Sequence, residues 1–449
     1  MSRLEQLLER LRGFGDRQCM DGDAGTHSFA DLLREQSHWI ARLDDLGVGA
    51  GQVVGLRADY SMPAVAALLA LFSKGCVAAL IPRDRDAGGY LRDARAVALL
   101  EIDVDGTHRW ERLGAPEDHP LLARLRERRD GGVVIFTSGS SGAPKAALQG
   151  IERFLHKYQR PGRAFRTLGF LLFDHVAGLD TLLYTLANGG VLVVTRSRDP
   201  ATICALIDRC AVEVLPASPS FLRLLCLAGS AGHFSLASLK VITYGSEPMD
   251  QRTLLLLNER FPLLQISQKY GTTETGSPRS ESRGRDSLWM KIKNDDLETR
   301  IVDGVLCIRS EGTILGYLNA PSPVDAEGWY CTGDLVDSDG DWIRFRGRAS
   351  EVINVGGEKV APTEIEQVIL TLDFVREVVV SGEASTLMGQ IVTARVVLAE
   401  GIDSKDAVKA IRARCRERLA NYKVPVKIAV VAAGLSTERQ KARRNQPAG

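Results

Sequence analysis

Residues 131–145 read GGVVIFTSGSSGAPK, a short apolar run followed by small residues and one lysine. The apolar run, residues 133–136, is bounded by glycines and rich in β-branched side chains, which is typical of a buried strand. Glycines let the next stretch of backbone curl so that several N–H groups point at one anion, and hydroxyl groups and a lysine add donors. The pattern therefore predicts a strand that leads into a polyphosphate-binding loop. The candidate ligands are Thr137, Ser138, Gly139, Ser140, Ser141, Gly142 and Lys145.

This loop differs from the Walker-type nucleotide loop. A Walker loop has four residues between its glycines and then Gly-Lys-Ser/Thr at the start of a helix. Here Gly139 and Gly142 are three positions apart, and the lysine is followed by Ala146. Pro144 also disfavours a helix at this point. The spacing argues against a P-loop NTPase and indicates another class of phosphate-binding protein.

The composition is that of a globular protein with two or three domains. The chain has 449 residues, of which 45% are hydrophobic and 25% charged. Its 57 basic and 56 acidic side chains nearly balance, so we expect no nucleic-acid partner. The first 15 residues lack the apolar core of a secretory signal, and the most apolar segment, 62–81, is interrupted by Lys74, so we expect no membrane span. The eight cysteines form no CxxC pair, and we expect most of them to be reduced in a cytoplasmic protein.

Strand and helix patterns alternate along most of the chain. A helical pattern at 64–72 precedes a strand at 76–81, and strands at 191–195 and 212–215 flank a helix at 200–210. Such alternation is typical of layered, mostly parallel sheets that are covered by helices. It predicts an α/β fold for this part of the chain.

The pattern changes near residue 301 to short strands and turns, and a smaller α+β pattern follows Gly347. The last hundred or so residues are enough for a separate core. We therefore predict a large N-terminal region of several subdomains, residues 1–347, and a small C-terminal α+β domain, residues 348–449.

Seven further motifs follow the loop in a fixed order. They are FDHVAG (173–178), GSEPM (245–249), QKYGTTET (268–275), YCTGD (330–334), RGR (346–348), INVGGEKV (353–360), and Thr437 with Lys441. With the loop, they make the chain resemble the adenylate-forming superfamily, which includes acyl- and aryl-CoA ligases, luciferases and the adenylation domains of peptide synthetases. The resemblance extends from the predicted helix near Ser28 to Lys441.

The resemblance implies a two-step reaction. In that family a carboxylic acid is joined to AMP from ATP with release of pyrophosphate, and the acyl group then passes to a thiol. The implied cofactors are ATP, Mg²⁺ and either coenzyme A or the phosphopantetheine thiol of a carrier protein. The implied partner is a small-molecule carboxylic acid, and any carrier protein is a separate chain, because no carrier domain is evident in the sequence.

The resemblance also assigns the nucleotide-binding residues. It implies that the loop holds the β- and γ-phosphates, Tyr270 stacks on adenine, Asp334 accepts hydrogen bonds from the ribose hydroxyls, and Arg348 supports the same sugar. It places a wall between adenine and acid at residues 245–248. The other residues implied in nucleotide binding are Gly245, Ser246, Glu247, Pro248, Gly271 and Thr272.

Four residues are the implied catalytic groups. Thr273 contacts the α-phosphate, Glu274 holds Mg²⁺, and Lys441 stabilises charge while the carboxylate attacks. His175 lines the acid pocket, as in the His-x-x-Gly segment of CoA ligases. The sequence departs from the family at Gln440, where glycine usually precedes the lysine, and at Ser350, where the hinge between the domains usually has Asp or Lys.

Two other functions stay open at this point. Phe173-Asp174 resembles amino-acid adenylation domains, in which an aspartate pairs with the substrate amine, and Asp180 is a second candidate to face the acid. A non-catalytic nucleotide-binding scaffold is the other alternative, although the retained catalytic residues argue against it. The GGEKV loop, 356–360, resembles the one that lines the pantetheine tunnel and therefore favours a thioester product.

Overall fold

The computed structural model describes residues 1–114, 118–138, 143–228, 234–293, 297–386, 388–432 and Leu435. The first strands in chain order are β1 (Gln18–Gly22), β2 (His27–Ser28), β3 (Val53–Arg57), β4 (Val77–Leu80), β5 (Ala98–Ile102), β6 (His108–Arg112), β7 (Gly132–Ser138), β8 (Pro144–Gly150), β9 (Arg166–Gly169), β10 (Val191–Val194), β11 (Val214–Ala217), β12 (Val241–Tyr244) and β13 (Gln265–Gln268). The helices between them are α1 (Arg3–Phe14), α2 (Phe29–Asp45), α3 (Met62–Ser73), α4 (Ala87–Asp93), α5 (Pro120–Glu127), α6 (Ile151–Phe154), α7 (Val176–Ala187), α8 (Pro200–Cys210), α9 (Pro219–Leu227) and α10 (Gln251–Arg260).

The remaining elements are mostly strands. They are β14 (Ser280–Ser282), β15 (Met290–Ile292), β16 (Leu297–Val302), β17 (Val305–Ser310), β18 (Gly316–Tyr317), β19 (Tyr330–Asp339), β20 (Trp342–Arg348), β21 (Ile353–Val355), β22 (Glu358–Val360), α11 (Pro362–Ile369), β23 (Val375–Ser385), β24 (Gly389–Leu398), α12 (Ser404–Arg418) and β25 (Lys427–Val430).

Two seven-stranded sheets form the α/β layers. One has the order β13-β12-β11-β9-β10-β1-β2, and only β2 in it pairs antiparallel. The other has the order β18-β8-β7-β4-β3-β5-β6, with a parallel centre and antiparallel strands at both edges. The predicted α/β fold with layered, mostly parallel sheets is confirmed.

A buried helix packs between these layers. Ten of the twelve residues of α3 are buried, because its sequence is apolar on every face. Its first turn is fixed by the Ser61 side chain, which accepts a hydrogen bond from the Ala64 N–H, and by Pro63. The segment 62–81, predicted to be a helix followed by a strand, forms α3 and β4, as expected.

The later part of the chain adds an antiparallel sheet and a mixed sheet, in which β25 pairs parallel to β24. A six-stranded sheet has the order β14-β15-β20-β19-β17-β16. After it, β21–β25 form a separate sheet, and the helices α11 and α12 enclose its own hydrophobic core, which includes Ile365, Val380 and Ile411. The predicted small C-terminal α+β unit is therefore present.

Six cysteines of the described chain are free thiols, and five of these six are buried. The other two, Cys307 in β17 and Cys331 in β19, lie directly opposite each other and form a disulfide. They are 24 residues apart in sequence, so their spacing gave no sign of the pairing. Over the residues that the structure describes, no helix is long and apolar enough to cross a membrane.

Candidate active site

A cleft of about 2360 Å³ lies where the two α/β sheets, the antiparallel sheet and the small C-terminal unit meet. Most of the site residues predicted from the sequence line it. They are Thr137, Lys145, His175, Gly245, Ser246, Glu247, Pro248, Tyr270, Gly271, Thr272, Thr273, Glu274, Asp334 and Arg348. Residues 139–142 and Lys441 lie outside the described residues, and the structure describes only the backbone of Ser138, at the end of β7.

The predicted phosphate loop connects two paired strands. β7 and β8 run antiparallel, with Thr137 opposite Lys145. The chain resumes at Pro144 as a strand, in agreement with the argument that proline opposes a helix here. The Lys145 ammonium group lies 5.2 Å from the centre of the Tyr317 ring, which holds the lysine at the cleft by a cation–π contact.

Tyr270, predicted to stack on adenine, is hydrogen-bonded directly to Asp334, the residue predicted to bind ribose. Its ring stacks on Phe345, with centres 4.7 Å apart, so one face of the ring is covered. Its hydroxyl donates a hydrogen bond to the Asp334 carboxylate at 2.8 Å. The tyrosine is therefore fixed in position where it lines the cleft.

Asp334 is a buried carboxylate at the edge of the cleft. Arg348 donates to it from Nε at 3.1 Å, and the Asp334 N–H donates to the Thr332 hydroxyl at 3.0 Å. Burial raises the pKa of Asp334, while Arg348 and the Tyr270 hydroxyl oppose that rise. The β19–β20 ladder places Asp334 directly opposite Arg348, which explains why the two motifs meet in the structure.

Glu274 is held by tyrosines that the sequence reasoning did not identify. The Tyr317 hydroxyl donates to its Oε1 at 2.7 Å, and Tyr330 also hydrogen-bonds to this carboxylate. Both tyrosines have raised pKa values, first because of burial and then because of the nearby Glu274 charge. Tyr330 lies in the YCTGD motif and could have been found there, whereas Tyr317 comes from a segment without a distinctive pattern.

The one carboxylate of Glu274 fits a magnesium ion whose other ligands are the oxygens of a bound polyphosphate and water. No cluster of three or more metal-ligating side chains occurs among the described residues, so the protein itself offers few ligands. Mg²⁺ commonly takes one or two carboxylates and completes its shell with phosphate oxygens and water. A single buried carboxylate, in the same cleft as Thr137 and Lys145, matches that requirement.

The GSEP segment, residues 245–248, turns sharply between strand β12 and helix α10. Ser246 has a φ of +69°, and a Cβ added to Gly245 would lie 2.7 Å from the Lys269 carbonyl oxygen. Only glycine allows this approach. The Glu247 carboxylate accepts hydrogen bonds from the Ser220 hydroxyl at 2.6 Å and the Ser220 N–H at 3.2 Å, which fixes the segment against α9.

The other side of the cleft is formed by the start of α7. His175 is its N-cap residue, and Gly178 fits closely because an added Cβ would lie 1.9 Å from the Leu172 carbonyl oxygen. Asp180 faces the cleft, pairs with Lys157 and accepts a hydrogen bond from the Tyr158 hydroxyl at 2.5 Å. We call this part of the cleft, lined by His175, Asp180 and Lys157, the acid side. Asp174 is not among the residues that line the cleft.

The small C-terminal unit closes one end of the cleft with Glu366, Leu370, Val379 and Leu435. Residues 356–360, predicted to line a pantetheine tunnel, do not line the cleft in this arrangement. That loop is a hairpin turn between β21 and β22, and its glycines are exposed.

Comparison with known proteins gives the family. A family model for AMP-binding enzymes matches residues 7–318, and the model for their C-terminal domain matches residues 364–441. The chain is 27% identical to a 2-succinylbenzoate–CoA ligase of Geobacillus kaustophilus over 92% of this chain and 91% of the relative. It is 25% identical to a long-chain-fatty-acid–CoA ligase of Bacillus subtilis over 73% of this chain and 64% of the relative.

A solved structure shows the same fold. The anthranilate CoA ligase AuaEII, in complex with anthranoyl-AMP, superposes with a TM-score of 0.82 over 98% of this chain and 95% of that one, at 18% identity. The first family match covers more than two thirds of the sequence and includes the phosphate loop and the residues around Tyr270. The chain therefore belongs to the AMP-binding enzyme family.

Proposed function

We propose that this protein is an ATP-dependent acid–thiol ligase that forms an acyl-AMP and then an acyl thioester. The observation that carries the proposal is the meeting of Tyr270, Asp334, Glu274, Thr137 and Lys145 at one cleft. Its relatives are CoA ligases for 2-succinylbenzoate and for long-chain fatty acids, which supports the same type of reaction here. ATP, Mg²⁺ and CoA are the cofactors of that reaction.

We assign the nucleotide to the part of the cleft around Tyr270. Adenine would stack on Tyr270, and the ribose hydroxyls would donate to Asp334 beside Arg348. The Asp334 carboxylate is already oriented by two donors, so little rearrangement is needed on binding. Lys145 and the loop that ends there would hold the β- and γ-phosphates.

Glu274 would hold Mg²⁺ when ATP binds. The ion neutralises phosphate charge and polarises the oxygens around the α-phosphorus. Tyr317 and Tyr330 would keep the Glu274 carboxylate oriented towards the cleft. The hydroxyl of Thr273, at the same cleft wall, would donate to an α-phosphate oxygen.

Adenylation needs a nucleophile and a leaving group on opposite sides of the α-phosphorus. A carboxylate oxygen of the acid attacks the phosphorus, the bond to the bridging oxygen breaks, and pyrophosphate leaves. Lys441 would stabilise the charge that develops between acid and phosphate. Leu435, six residues earlier in the sequence, lines the cleft, and this supports the assignment.

Thioester formation requires a different arrangement. We propose that residues 348–449 form a mobile domain, with the boundary after Gly347, and that Ser350 lies in its hinge. Because residues 356–360 are away from the cleft, this domain would rotate before that loop could guide the thiol. The acceptor is the thiol of CoA or of the phosphopantetheine on a separate carrier protein. We also propose that the protein is cytoplasmic, as predicted from the sequence.

Acid-dependent exchange of labelled pyrophosphate into ATP tests the reaction. We expect exchange with carboxylic acids and no exchange without them. Exchange confined to amino acids would favour amino-acid adenylation, and no exchange with a broad panel of acids would leave only a nucleotide-binding scaffold. The position of Asp174 outside the cleft lining speaks against the amino-acid alternative.

A lysine substitution tests the proposed role of Lys441. We expect Lys441→Ala to lower the rate of adenylation by at least about 100-fold, as does the loss of a group that stabilises transition-state charge. The same variant should still form the thioester from supplied acyl-AMP. Equal loss in both half-reactions would assign Lys441 a structural role instead.

A further inference from the structure

Lys269 is a lysine that lines the cleft. It follows β13 and precedes Tyr270, and its N–H donates to the Tyr244 carbonyl oxygen at 2.7 Å. Its side chain is exposed, and among the described residues its ammonium group makes no hydrogen bond or ion pair. The nucleotide site proposed above assigns it no role.

Lys269 lies directly behind the wall that separates adenine from acid. A Cβ added to Gly245 would lie 3.6 Å from the Lys269 Cβ, so the two residues are in contact. The charged groups that most affect the Lys269 ammonium are Asp180, Lys157 and Arg279. Asp180 and Lys157 line the acid side of the cleft, which places the Lys269 charge there.

The exposure of Lys269 and its pKa indicate where the ammonium group points. Burial by surrounding protein lowers the pKa of Lys269, although the side chain is accessible to water. Both observations follow if the group projects into the cleft and not into bulk solvent. A lysine in such a place is stabilised when an anion binds to it.

The nearest acidic group on the acid side is already neutralised. Asp180 forms an ion pair with Lys157 and accepts a hydrogen bond from the Tyr158 hydroxyl. The pair contributes no net charge, so Lys269 leaves the acid side positive. An ammonium group on the substrate would be repelled there, whereas a carboxylate would be attracted.

We propose that Lys269 binds a second carboxylate of the substrate, so that the preferred acid is a dicarboxylic acid. One carboxylate would react at the α-phosphorus, and the other would accept hydrogen bonds from the Lys269 ammonium. This inference rests on the proposed acid–thiol ligase function and names the substrate class for that site. A charge-assisted hydrogen bond of this kind gives both affinity and orientation.

Matched acids test the proposal. We would measure acid-dependent pyrophosphate release with butanoate and succinate, pentanoate and glutarate, and benzoate and isophthalate. In the unchanged protein we expect kcat/KM to be about 10- to 100-fold higher for the dicarboxylate of the best pair. In Lys269→Met that preference should disappear through loss of the dicarboxylate activity, while activity with the monocarboxylate is kept.

Two variants and a stability measurement complete the experiment. Lys269→Arg should keep much of the preference, and Lys240→Met, at an exposed lysine paired with Glu213, should change nothing. Thermal unfolding should show that Lys269→Met is folded, since the substitution removes a charge that is desolvated by the surrounding protein.

The outcomes separate this inference from the proposed function. Turnover of monocarboxylates with no preference for dicarboxylates would overturn the role of Lys269 and leave the ligase function intact. An equal loss of both activities in Lys269→Met would show that the lysine acts on the reacting carboxylate or on ATP. No turnover of any acid would instead contradict the ligase function.

Discussion

The Asp130 carboxyl lies just before β7, the strand that leads into the phosphate loop. It is half-buried, and it accepts a hydrogen bond from the Glu152 N–H at 3.3 Å. A Cβ added to Gly150 would lie 2.8 Å from its Oδ2, so the carboxyl packs directly against backbone. Burial raises its pKa from 3.8 to about 6.

This pKa predicts a stabilising substitution. Because the pKa of Asp130 is higher in the folded state than in the unfolded state, the ionised carboxyl opposes folding. The loss of unfolding free energy grows as pH rises from about 4 to 6 and reaches its full size above pH 6. Asp130→Asn keeps an acceptor oxygen and removes the charge. With an allowance for partial exposure, we expect a gain of about 1–2 kcal/mol in the free energy of unfolding at pH 8 and a smaller gain at pH 5.

Denaturant unfolding at both pH values measures this gain. Asp118→Asn is the control, because the Arg126 hydrogen bond lowers the pKa of that exposed carboxyl and its loss should not stabilise the protein. A gain for Asp130→Asn that is independent of pH would show that the carboxyl charge is not its cause.

Single residues also show how far the sequence could lead. Tyr270, Glu274 and Asp334 stand in short motifs that resemble those of a known family, so their meeting at one cleft could be predicted from that resemblance. Their partners Tyr317 and Phe345 come from segments without a distinctive pattern. The packing of whole sheets decides which distant segment contacts a motif. The spacing of residues within the motif therefore does not predict these partners.

At the scale of elements, the disulfide joins β17 to β19, the strand that carries Tyr330 and Asp334. Cys307 in β17 is buried, whereas Cys331 in β19 is exposed at the cleft. The segment that the disulfide closes contains Tyr317 and Tyr330, both of which hold Glu274. Reduction of the disulfide should therefore affect both the stability of the protein and the position of Glu274, the residue proposed to hold Mg²⁺.

We expect reduction to lower the free energy of unfolding by about 3 kcal/mol, since the crosslink closes a segment of 24 residues. The affinity for Mg²⁺–ATP should fall at the same time. Thiol titration of the unfolded protein should count six thiols before reduction and eight after it. Cys331→Ser should be as unstable as the reduced protein and insensitive to reductant, whereas Cys226→Ser, at a free thiol, should still respond. Eight thiols without reductant would contradict the crosslink.

At the scale of the whole molecule, one buried arginine connects the large region to the small C-terminal unit. Arg223 on α9 donates from its guanidinium to the carbonyl oxygens of Val375 at 2.8 Å and Leu370 at 3.3 Å. It also donates to the Thr253 hydroxyl within the large region at 3.3 Å. The sequence places Arg223 in an ordinary amphipathic helix, so only the docking of the two units shows its role.

These bonds must break if the small unit rotates between the half-reactions. We expect Arg223→Met to weaken the arrangement in which Leu435 lines the cleft and to lower adenylation by about tenfold or more, which corresponds to the loss of one or two hydrogen bonds from a charged donor. Thioester formation from supplied acyl-AMP should be unchanged or faster, because it does not need that arrangement. Arg252→Met is the matched control, since it breaks only an exposed ion pair with Asp373 across the same interface. Separate assays of adenylation and of thioester formation from supplied acyl-AMP test this prediction. An equal decrease in both rates would mean that Arg223 supports the fold and not the orientation of the domains.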